Sequence, residues 1–163
     1  MSIALYRIDD RLIHGQVVVG WGQPLNLRYI VLVDDLVAAS DWEQELYRMG
    51  VPPEMEVHFL SVDAAARQLP VIEEASGTGL LLTGDIATMR RVVDAAPGIR
   101  KVNIGGIHFR AGRKQRLRYV YLTPDEEQSL RELLATGVDV SAQDVPAANA
   151  VPLDELLEQE HAS

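Results

Sequence analysis

Residues 28–34 read RYIVLVD, and this stretch decides the fold class. Apolar side chains follow one another from Tyr29 to Val33, which is typical of a strand buried on both faces of a parallel sheet. Six further stretches have strand-like sequences and alternate with stretches of helical pattern. These strands are predicted at residues 3–9, 56–60, 79–83, 101–104, 119–122 and 138–142.

The segments between these strands carry helix start and stop signals. Ser40 or Asp41, Ser61, Asp85 and Thr123 are candidate N-caps, and Thr123 is followed by a proline and by a glutamate three residues on. Another helix is predicted from Gly15 to about residue 23, before Pro24. The other helices are predicted at residues 41–49, 62–69, 86–96 and 124–136.

Strands that alternate with helices predict an α/β fold, namely a single-domain, open, mostly parallel sheet of about seven strands with helices on both faces. We assign the domain to residues 1–146 and interpret residues 147–163 as a loosely held acidic tail with a short helix near residues 153–157. Ligands of such sheets bind at the carboxyl ends of the strands. The loops after each strand therefore hold the candidate functional residues.

Composition excludes several classes of protein. The 163 residues contain no cysteine, which excludes disulfides, thiolate metal sites and cysteine nucleophiles. A formal net charge of −9 argues against a nucleic-acid-binding protein. The sequence shows no apolar run of about 18 residues that could cross a bilayer. We therefore expect a cytoplasmic protein that does not bind nucleic acid.

Residues 100–118, here called the basic segment, reverse this acidic balance locally. They hold seven of the 15 lysines and arginines, and no acidic residue lies between Asp94 and Asp125. The positive electrostatic field of such a segment can steer an anionic partner toward the protein. The alternative interpretation is that the segment is a solvated basic loop. The docking residues that we predict in it are Arg110, Arg113, Lys114 and Arg116.

The loop after the first strand carries the densest set of chemical groups. Residues 7–16 read RIDDRLIHGQ, so that four charged residues precede a histidine at the start of a helix. Helix N-termini and arginines bind anions, and an imidazole can act as a nucleophile toward phosphorus. A carboxylate site, a nucleotide-phosphate site or a purely structural ion pair would use the same residue types. The sequence contains neither GxxxxGK[ST] nor GxGxxG.

The same stretch, extended to RIDDRLIHGQV at residues 7–17 and joined to Trp21, resembles the active-site signature of a known family. That family is the IIB subunit of the bacterial sugar phosphotransferase system (PTS) in its mannose/fructose/sorbose branch. Further stretches follow the order and spacing of the family along nearly the whole chain. They are IVLVDDLVA at 30–38, FLSVDAAA at 59–66, KVNIGGIHFRAGRKQ at 101–115, YVYLTPDE at 119–126 and LLATGVDVSAQDVP at 133–146.

The resemblance implies a phosphocarrier that takes a phosphoryl group from a IIA phosphohistidine and passes it to a sugar entering through the membrane subunits IIC and IID. His14 corresponds to the phosphorylated histidine, usually at Nδ1, and Arg7 and Arg11 to arginines that hold the phosphoryl oxygens. Asp9 would orient His14 or an arginine. Phosphate-binding roles are predicted for Gly15, Gln16, Gly105 and Gly106.

The family scheme requires no cofactor and no metal ion. It also implies peripheral association with IIC and IID when the system is assembled, and it makes a homodimer plausible. Two other functions stay open at this stage. One is a phosphohydrolase or mutase with a phosphohistidine intermediate, although Ile13 stands where those enzymes have the arginine of an RHG triplet. The other is a non-catalytic regulator that signals through phosphorylation of His14.

Several residues outside the motif have plainer interpretations. Asp34 and Asp35 follow the strand at 28–34 and are predicted to cap or to lie in a loop. Trp21 and Trp42 are interpreted as core or interface residues. His108 follows the glycine pair of the basic segment, and only a minor role in the chemistry is expected of it.

Overall fold

The computed structural model describes residues 2–158, so His161 lies outside the described residues. The strands of this part are β1 (Ile3–Ile8), β2 (Leu27–Val33), β3 (Glu56–Leu60), β4 (Thr78–Thr83), β5 (Lys101–Ile104), β6 (Lys114–Leu117), β7 (Val120–Leu122), β8 (Asp139–Ala142) and β9 (Val151–Pro152). Its helices are a π-helix (Gln16–Trp21), α1 (Gly22–Leu25), α2 (Asp35–Ala38), α3 (Asp41–Met49), α4 (Val62–Ile72), α5 (Ile86–Ala95), α6 (Pro124–Ala135) and α7 (Leu153–Glu158).

Seven of these strands form one sheet in the order β3-β2-β4-β1-β5-β8-β9. Within the described residues its neighbouring strands run parallel, except that β9 is antiparallel to β8. The predicted fold class is confirmed. β4 and β5 follow each other in the chain but lie on opposite sides of β1, which opens a crevice at the carboxyl end of β1.

Alternate residues of the central strands enter separate cores on the two faces of the sheet. In β2, Tyr29, Val31 and Val33 belong to the larger core cluster, whereas Ile30 and Leu32 belong to the smaller one. Helices cover both faces, as predicted. The larger cluster contains Leu69, Met89, Leu130 and Leu156, and the smaller one contains Val17, Val18, Trp21 and Val37.

The predicted strand at residues 119–122 forms, but in another place. As β7 it pairs antiparallel with β6 in a separate two-stranded sheet. Only two residues separate β6 from β7, and so short a connection closes a hairpin more easily than it crosses to the large sheet. The seventh strand of the large sheet is instead β9, which the sequence pattern did not indicate.

The expectation of a loosely held tail is wrong for residues 151–158. β9 pairs with β8, and the predicted short helix is present as α7. Leu153 and Leu156 of α7 are 1% and 0% exposed, so two leucines anchor an otherwise acidic segment to the core. Packing therefore continues well beyond residue 146.

The four predicted N-caps are confirmed, with Ser40 rather than Asp41 as the cap of α3. The side chains of Ser40, Ser61 and Asp85 accept a backbone N–H of the helix that each precedes. Thr123 forms a capping box with Glu126, and Asp34 caps α2. The helix predicted at residues 15–23 is a π-helix followed by α1, which continues through Pro24 to Leu25.

Candidate active site

The loop of residues 9–15, here called the His14 loop, leaves the carboxyl end of β1 and is fixed to the neighbouring strands. Asp9 N–H donates to the carbonyl of Thr83 at 2.9 Å, and Asp10 N–H donates to that of Gly106 at 2.9 Å. Leu12 takes a left-handed backbone conformation with φ 59°, which is costly for a leucine. Such strain is often found at functional sites, and here it turns the chain just before His14.

Both ring nitrogens of His14 have a polar neighbour, and the one at Nδ1 is a hydrogen bond. Its Nε2 is buried and lies 3.3 Å from Oδ2 of Asp9, and its Nδ1 accepts the backbone N–H of Gln16 at 3.3 Å. A carboxylate only accepts hydrogen bonds, so Asp9 favours the tautomer with the proton on Nε2. Nδ1 then carries the lone pair. The side chain remains 17% exposed, which leaves the ring open to a partner.

Asp9 is the centre of the charge cluster and is fully buried. Its Oδ1 accepts from the backbone N–H and the Nε of Arg11 at 3.1 and 3.3 Å, and its Oδ2 accepts from Arg7 at 3.5 Å. Burial by itself raises the pKa of Asp9, but His14 and Arg11 outweigh it and lower the pKa to about 2. The carboxylate is therefore ionised at neutral pH.

Arg7 is also fully buried and holds the floor of the site. Its Nη1 donates to the side chain of Asn103 and, at 2.8 Å, to the carbonyl of Gln143, and its Nη2 donates to the carbonyl of Asp144 at 3.2 Å. The guanidinium lies 4.9 Å from the ring centroid of Trp21. Burial lowers the pKa of Arg7, while Asp9 and Asp144 oppose this effect.

The glycines of the predicted site have different surroundings. A Cβ at Gly105 would overlap the Arg7 guanidinium, so this glycine makes room for Arg7. A Cβ at Gly106 would lie 3.4 Å from Oδ1 of Asp9, whereas one at Gly15 would meet no atom within 4 Å. Gly105 and Gly106 thus border the buried arginine and carboxylate, and Gly15 borders open space.

A chain of polar contacts runs along the exposed rim of the site. Arg11, whose side chain is 41% exposed, donates to Oε1 of Gln16 at 2.5 Å, and Gln16 in turn donates to Oδ1 of Asp144 at 3.0 Å. Oδ2 of Asp144 accepts from Arg118 at 3.0 Å. Arg11 and Gln16 therefore place polar side chains of the motif at the rim of the site.

Sequence reasoning missed three residues that build this site. Asn103, Gln143 and Asp144 bind Arg7 from β5 and from the loop after β8. They lie in the NIGG and QDVP stretches, which were noted for their family pattern without a role for their polar groups. Asp10 accepts from the backbone N–H of His108 at 2.7 Å and lies 2.6 Å from His108 Nδ1.

Two of the four predicted docking residues are engaged within the protein. Arg113 pairs with Glu126 at 2.8 Å, and Arg116 pairs with Glu127 at 2.7 and 2.9 Å. Their side chains are only 9% and 11% exposed, so these residues hold the β6–β7 hairpin against α6. This placement corrects the docking role predicted for them. Arg110 and Lys114 are exposed.

Residues 2–158 contain neither a cluster of metal ligands nor a membrane-spanning helix. No group of three or more histidine, aspartate or glutamate side chains in that range is arranged to hold a metal ion. None of its helices is long and apolar enough to span a membrane.

Comparison with known proteins gives the family. A family model described as "PTS system sorbose subfamily IIB component" matches residues 3–163. The chain belongs to this family. It is 35% identical over 150 residues to the N-acetylgalactosamine-specific phosphotransferase enzyme IIB component 1 of Escherichia coli K12, covering 89% of this chain and 92% of that protein.

Solved structures and a longer relative agree with this assignment. The IIBSor domain of the sorbose permease from Klebsiella pneumoniae superposes with a TM-score of 0.87 at 33% identity, over 98% of this chain and 99% of that one. The mannose-specific EIIAB component of E. coli K12 is 31% identical over 157 residues, which cover 96% of this chain and 49% of that protein. The resemblance to the IIB subunits of this branch is confirmed, and with it a phosphotransferase-system role.

Proposed function

We propose that this IIB component carries a phosphoryl group on His14, which it receives from a phosphohistidine of a IIA partner and delivers to a sugar entering through IIC and IID. The observation that carries the proposal is the pair of polar neighbours that flank the His14 ring. The carboxylate of Asp9 lies 3.3 Å from Nε2, and Nδ1 accepts the backbone N–H of Gln16. Family membership supplies the reaction class, and this geometry supplies a nucleophile of defined tautomer.

The transfer step follows from that tautomer. Nδ1 of His14 gives up its hydrogen bond from the Gln16 N–H, and its lone pair attacks phosphorus. The new N–P bond forms as the N–P bond to the donor histidine breaks, with its electron pair returning to the donor ring. The Nε2 proton stays in place, so the phosphorylated ring is cationic. The ionised Asp9 beside Nε2 offsets that positive charge, and no general base is needed.

The two arginines have separate roles in this scheme. Arg11 is partly exposed and can turn from Gln16 and Asp9 to the phosphoryl oxygens, where a guanidinium stabilises the charge of the transition state. Arg7 is enclosed by Asn103, Gln143, Asp144 and Asp9. We therefore assign Arg7 as a positioning residue that fixes Asp9, in place of the direct phosphoryl contact expected from the sequence.

The choice of a IIA donor is supported by one relative. The name EIIAB of the mannose-specific relative joins a IIA and a IIB part in one chain, which favours a IIA donor for this chain too. The other proposed partners are the sugar and the membrane subunits, with the protein at the cytoplasmic face of IIC and IID. A homodimer remains part of the proposal as a state of the free protein.

The proposal is tested by charging the protein with phosphorylated IIA and locating the phosphate. Mass spectrometry at alkaline pH is expected to find one phosphate, on His14, and nitrogen-15 NMR is expected to place it on Nδ1. Phosphate on another residue would contradict the assignment of the nucleophile. Phosphate on Nε2 would contradict the role given to Asp9.

Substitution of Arg11 by alanine is expected to slow charging of His14 by about a hundredfold with little loss of stability. The transition state loses a charged contact, which commonly costs on the order of 3 kcal/mol, while Arg7 still pairs with the buried Asp9. Arg11→Lys is expected to recover only part of the rate, because an ammonium group cannot make a bidentate contact. Rapid-quench kinetics with phosphorylated IIA measures both variants. Full activity of Arg11→Ala would remove Arg11 from the chemistry.

The exposed part of the basic segment is expected to steer the IIA donor. The double charge reversal of Arg110 and Lys114 to glutamate is predicted to slow charging at low salt and to flatten its salt dependence, since exposed charges act over a Debye length of about 8 Å at physiological ionic strength. The fold is expected to persist because both side chains are exposed. An unchanged rate and an unchanged salt dependence would make this part of the segment a solvated loop.

A further inference from the structure

Helix α3 presents an apolar surface that no other described element covers. Trp42, Leu46 and Met49 recur at helical spacing along one side of α3 and are 67%, 56% and 80% exposed; we call them the α3 stripe. No residue of α3 is buried. Monomeric proteins usually expose large apolar side chains singly, so three on one side of a helix indicate a binding surface.

The α3 stripe has an acidic border. Asp41 and Glu45 lie one turn apart on α3, beside the stripe, and both are exposed. Residues 34–49 contain five acidic residues and a single basic one. A partner therefore binds the stripe more favourably if its own apolar groups are surrounded by lysines or arginines.

The stripe continues toward the active-site edge of the sheet. Leu36 in α2 is 81% exposed and follows β2 at its carboxyl end, which is the edge that also holds the His14 loop. Its neighbour Val37 belongs to the same core cluster as Leu12 and Ile13, the residues just before His14. A protein that docks on Leu36 and the α3 stripe would therefore extend to the edge of the sheet that holds the His14 loop.

We propose that Leu36 and the α3 stripe form the docking surface for the phosphoryl acceptor, a membrane-embedded subunit, and that they bind one of its cytoplasmic segments rich in basic and apolar residues. The cytoplasmic loops of membrane proteins carry an excess of lysine and arginine, which matches the acidic border. The donor, in contrast, is steered by Arg110 and Lys114 of the basic segment. This inference rests on the function proposed above.

A carrier that meets two partners in turn can distinguish them if it binds each through a surface of opposite charge. Both partners must reach His14, so their footprints overlap at the His14 loop and can differ only around it. The basic segment repels a basic partner, whereas the acidic border of the α3 stripe attracts one. Each of the two partners is therefore favoured in one orientation on the carrier. We therefore expect substitutions in the α3 stripe to affect discharge of His14 and to leave its charging intact.

The test compares charging and discharge in matched variants. Trp42→Ala/Met49→Ala removes two side chains of the stripe, and Val71→Ala removes an apolar side chain that is 72% exposed on α4. Each protein is charged with phosphorylated IIA and then mixed with membranes that contain IIC and IID and with the sugar. The readout is the concentration of phosphoprotein that gives half-maximal formation of sugar phosphate.

We expect Trp42→Ala/Met49→Ala to raise that concentration by about tenfold to thirtyfold, as for loss of an interface anchor, while Val71→Ala and the charging rate stay unchanged. Glu45→Lys is expected to raise it as well, and the effect should fade at high salt. Equal discharge by all variants would overturn the inference. It would also be overturned if the sole effect of the double variant were slower charging, or if that sole effect were loss of a homodimer. Wild-type protein that cannot be charged would instead overturn the proposed function.

Discussion

His14→Ala is expected to accept no phosphate from phosphorylated IIA. The imidazole is the nucleophile of the proposed step, and its Nδ1 lies where the His14 loop meets the π-helix. The fold is expected to survive, because Asp9 keeps its contacts with Arg7 and Arg11 when the imidazole is removed. Measurement of bound phosphate by intact-protein mass spectrometry gives the result directly.

The other described histidines provide matched controls for this variant. His58 lies on β3 against the edge of the Tyr29 ring, and His108 is clamped by Asp10. His58→Ala and His108→Ala are both expected to be charged as fully as the wild type. Phosphate that persists on His14→Ala, or that disappears from His108→Ala, would show that the nucleophile has been misplaced.

Asp9→Asn is expected to slow charging by on the order of a thousandfold. The amide of the variant can turn its NH₂ group toward Nε2, which favours the His14 tautomer with the lone pair on Nε2 instead of Nδ1. Loss of control over the tautomer of a catalytic imidazole has effects of this size or larger. The variant also leaves the buried Arg7 without its ion-pair partner, which costs about 3 kcal/mol or more of folding free energy. Single-turnover charging and urea unfolding measure the two effects.

The same carboxylate makes stability depend on pH. The pKa of Asp9 falls from its ordinary value of 3.8 to about 2 in the folded protein, so the folded state favours the ionised form. The resulting stabilisation is present above about pH 4 and is lost as the pH falls toward 2. A shift of this size corresponds to about 2 kcal/mol. Urea unfolding of wild-type protein between pH 5 and 2 is expected to show this loss.

Asp10→Asn is the control for both measurements. Asp10 is the neighbouring carboxylate, but it contacts His108 rather than His14 or Arg7. We expect Asp10→Asn to charge at nearly the wild-type rate. If it were as slow as Asp9→Asn, then the negative charge of the loop as a whole, and not the contact with Nε2, would account for the activity.

The fold class could be predicted because the pattern of the strands is local. The apolar run at residues 29–33 reports burial on both faces, and N-caps such as Ser61 and Thr123 are signals that act within one turn of a helix. The pairing of β7 and the attachment of β9 depend instead on contacts between distant segments. Nothing in the sequence around residue 120 states which strand will lie beside it.

In the candidate site, too, the local features could be predicted from the sequence and the contacts between distant segments could not. The residues of the RIDDRLIHGQ motif are close in sequence, and the structure brings Arg7, Asp9, Arg11 and His14 together as expected. The burial of Arg7 was not predictable, because its partners Asn103 and Gln143 lie 96 and 136 residues away in the sequence. Arg113 and Arg116 likewise looked like docking residues until their contacts with Glu126 and Glu127 placed them inside.

Phosphocarrier and phosphohydrolase make opposite predictions for a water molecule at His14. A hydrolase needs a base that activates water. Among residues 2–158 the two carboxylates nearest to His14 in sequence are both engaged, Asp9 with Arg7 and Arg11, and Asp10 with His108. We therefore expect phosphorylated protein to lose its phosphate slowly when it is isolated from its partners at neutral pH.

The central claim is tested most directly by following the phosphate of the isolated, charged protein after membranes with IIC and IID and a sugar are added. We expect the phosphoprotein to be stable alone and then to be discharged rapidly, with the phosphate recovered as sugar phosphate. Repeated release of inorganic phosphate by the purified protein would contradict it in favour of a phosphohydrolase. A phosphoprotein that no combination of membrane subunits and sugar discharges would contradict it in favour of a regulator.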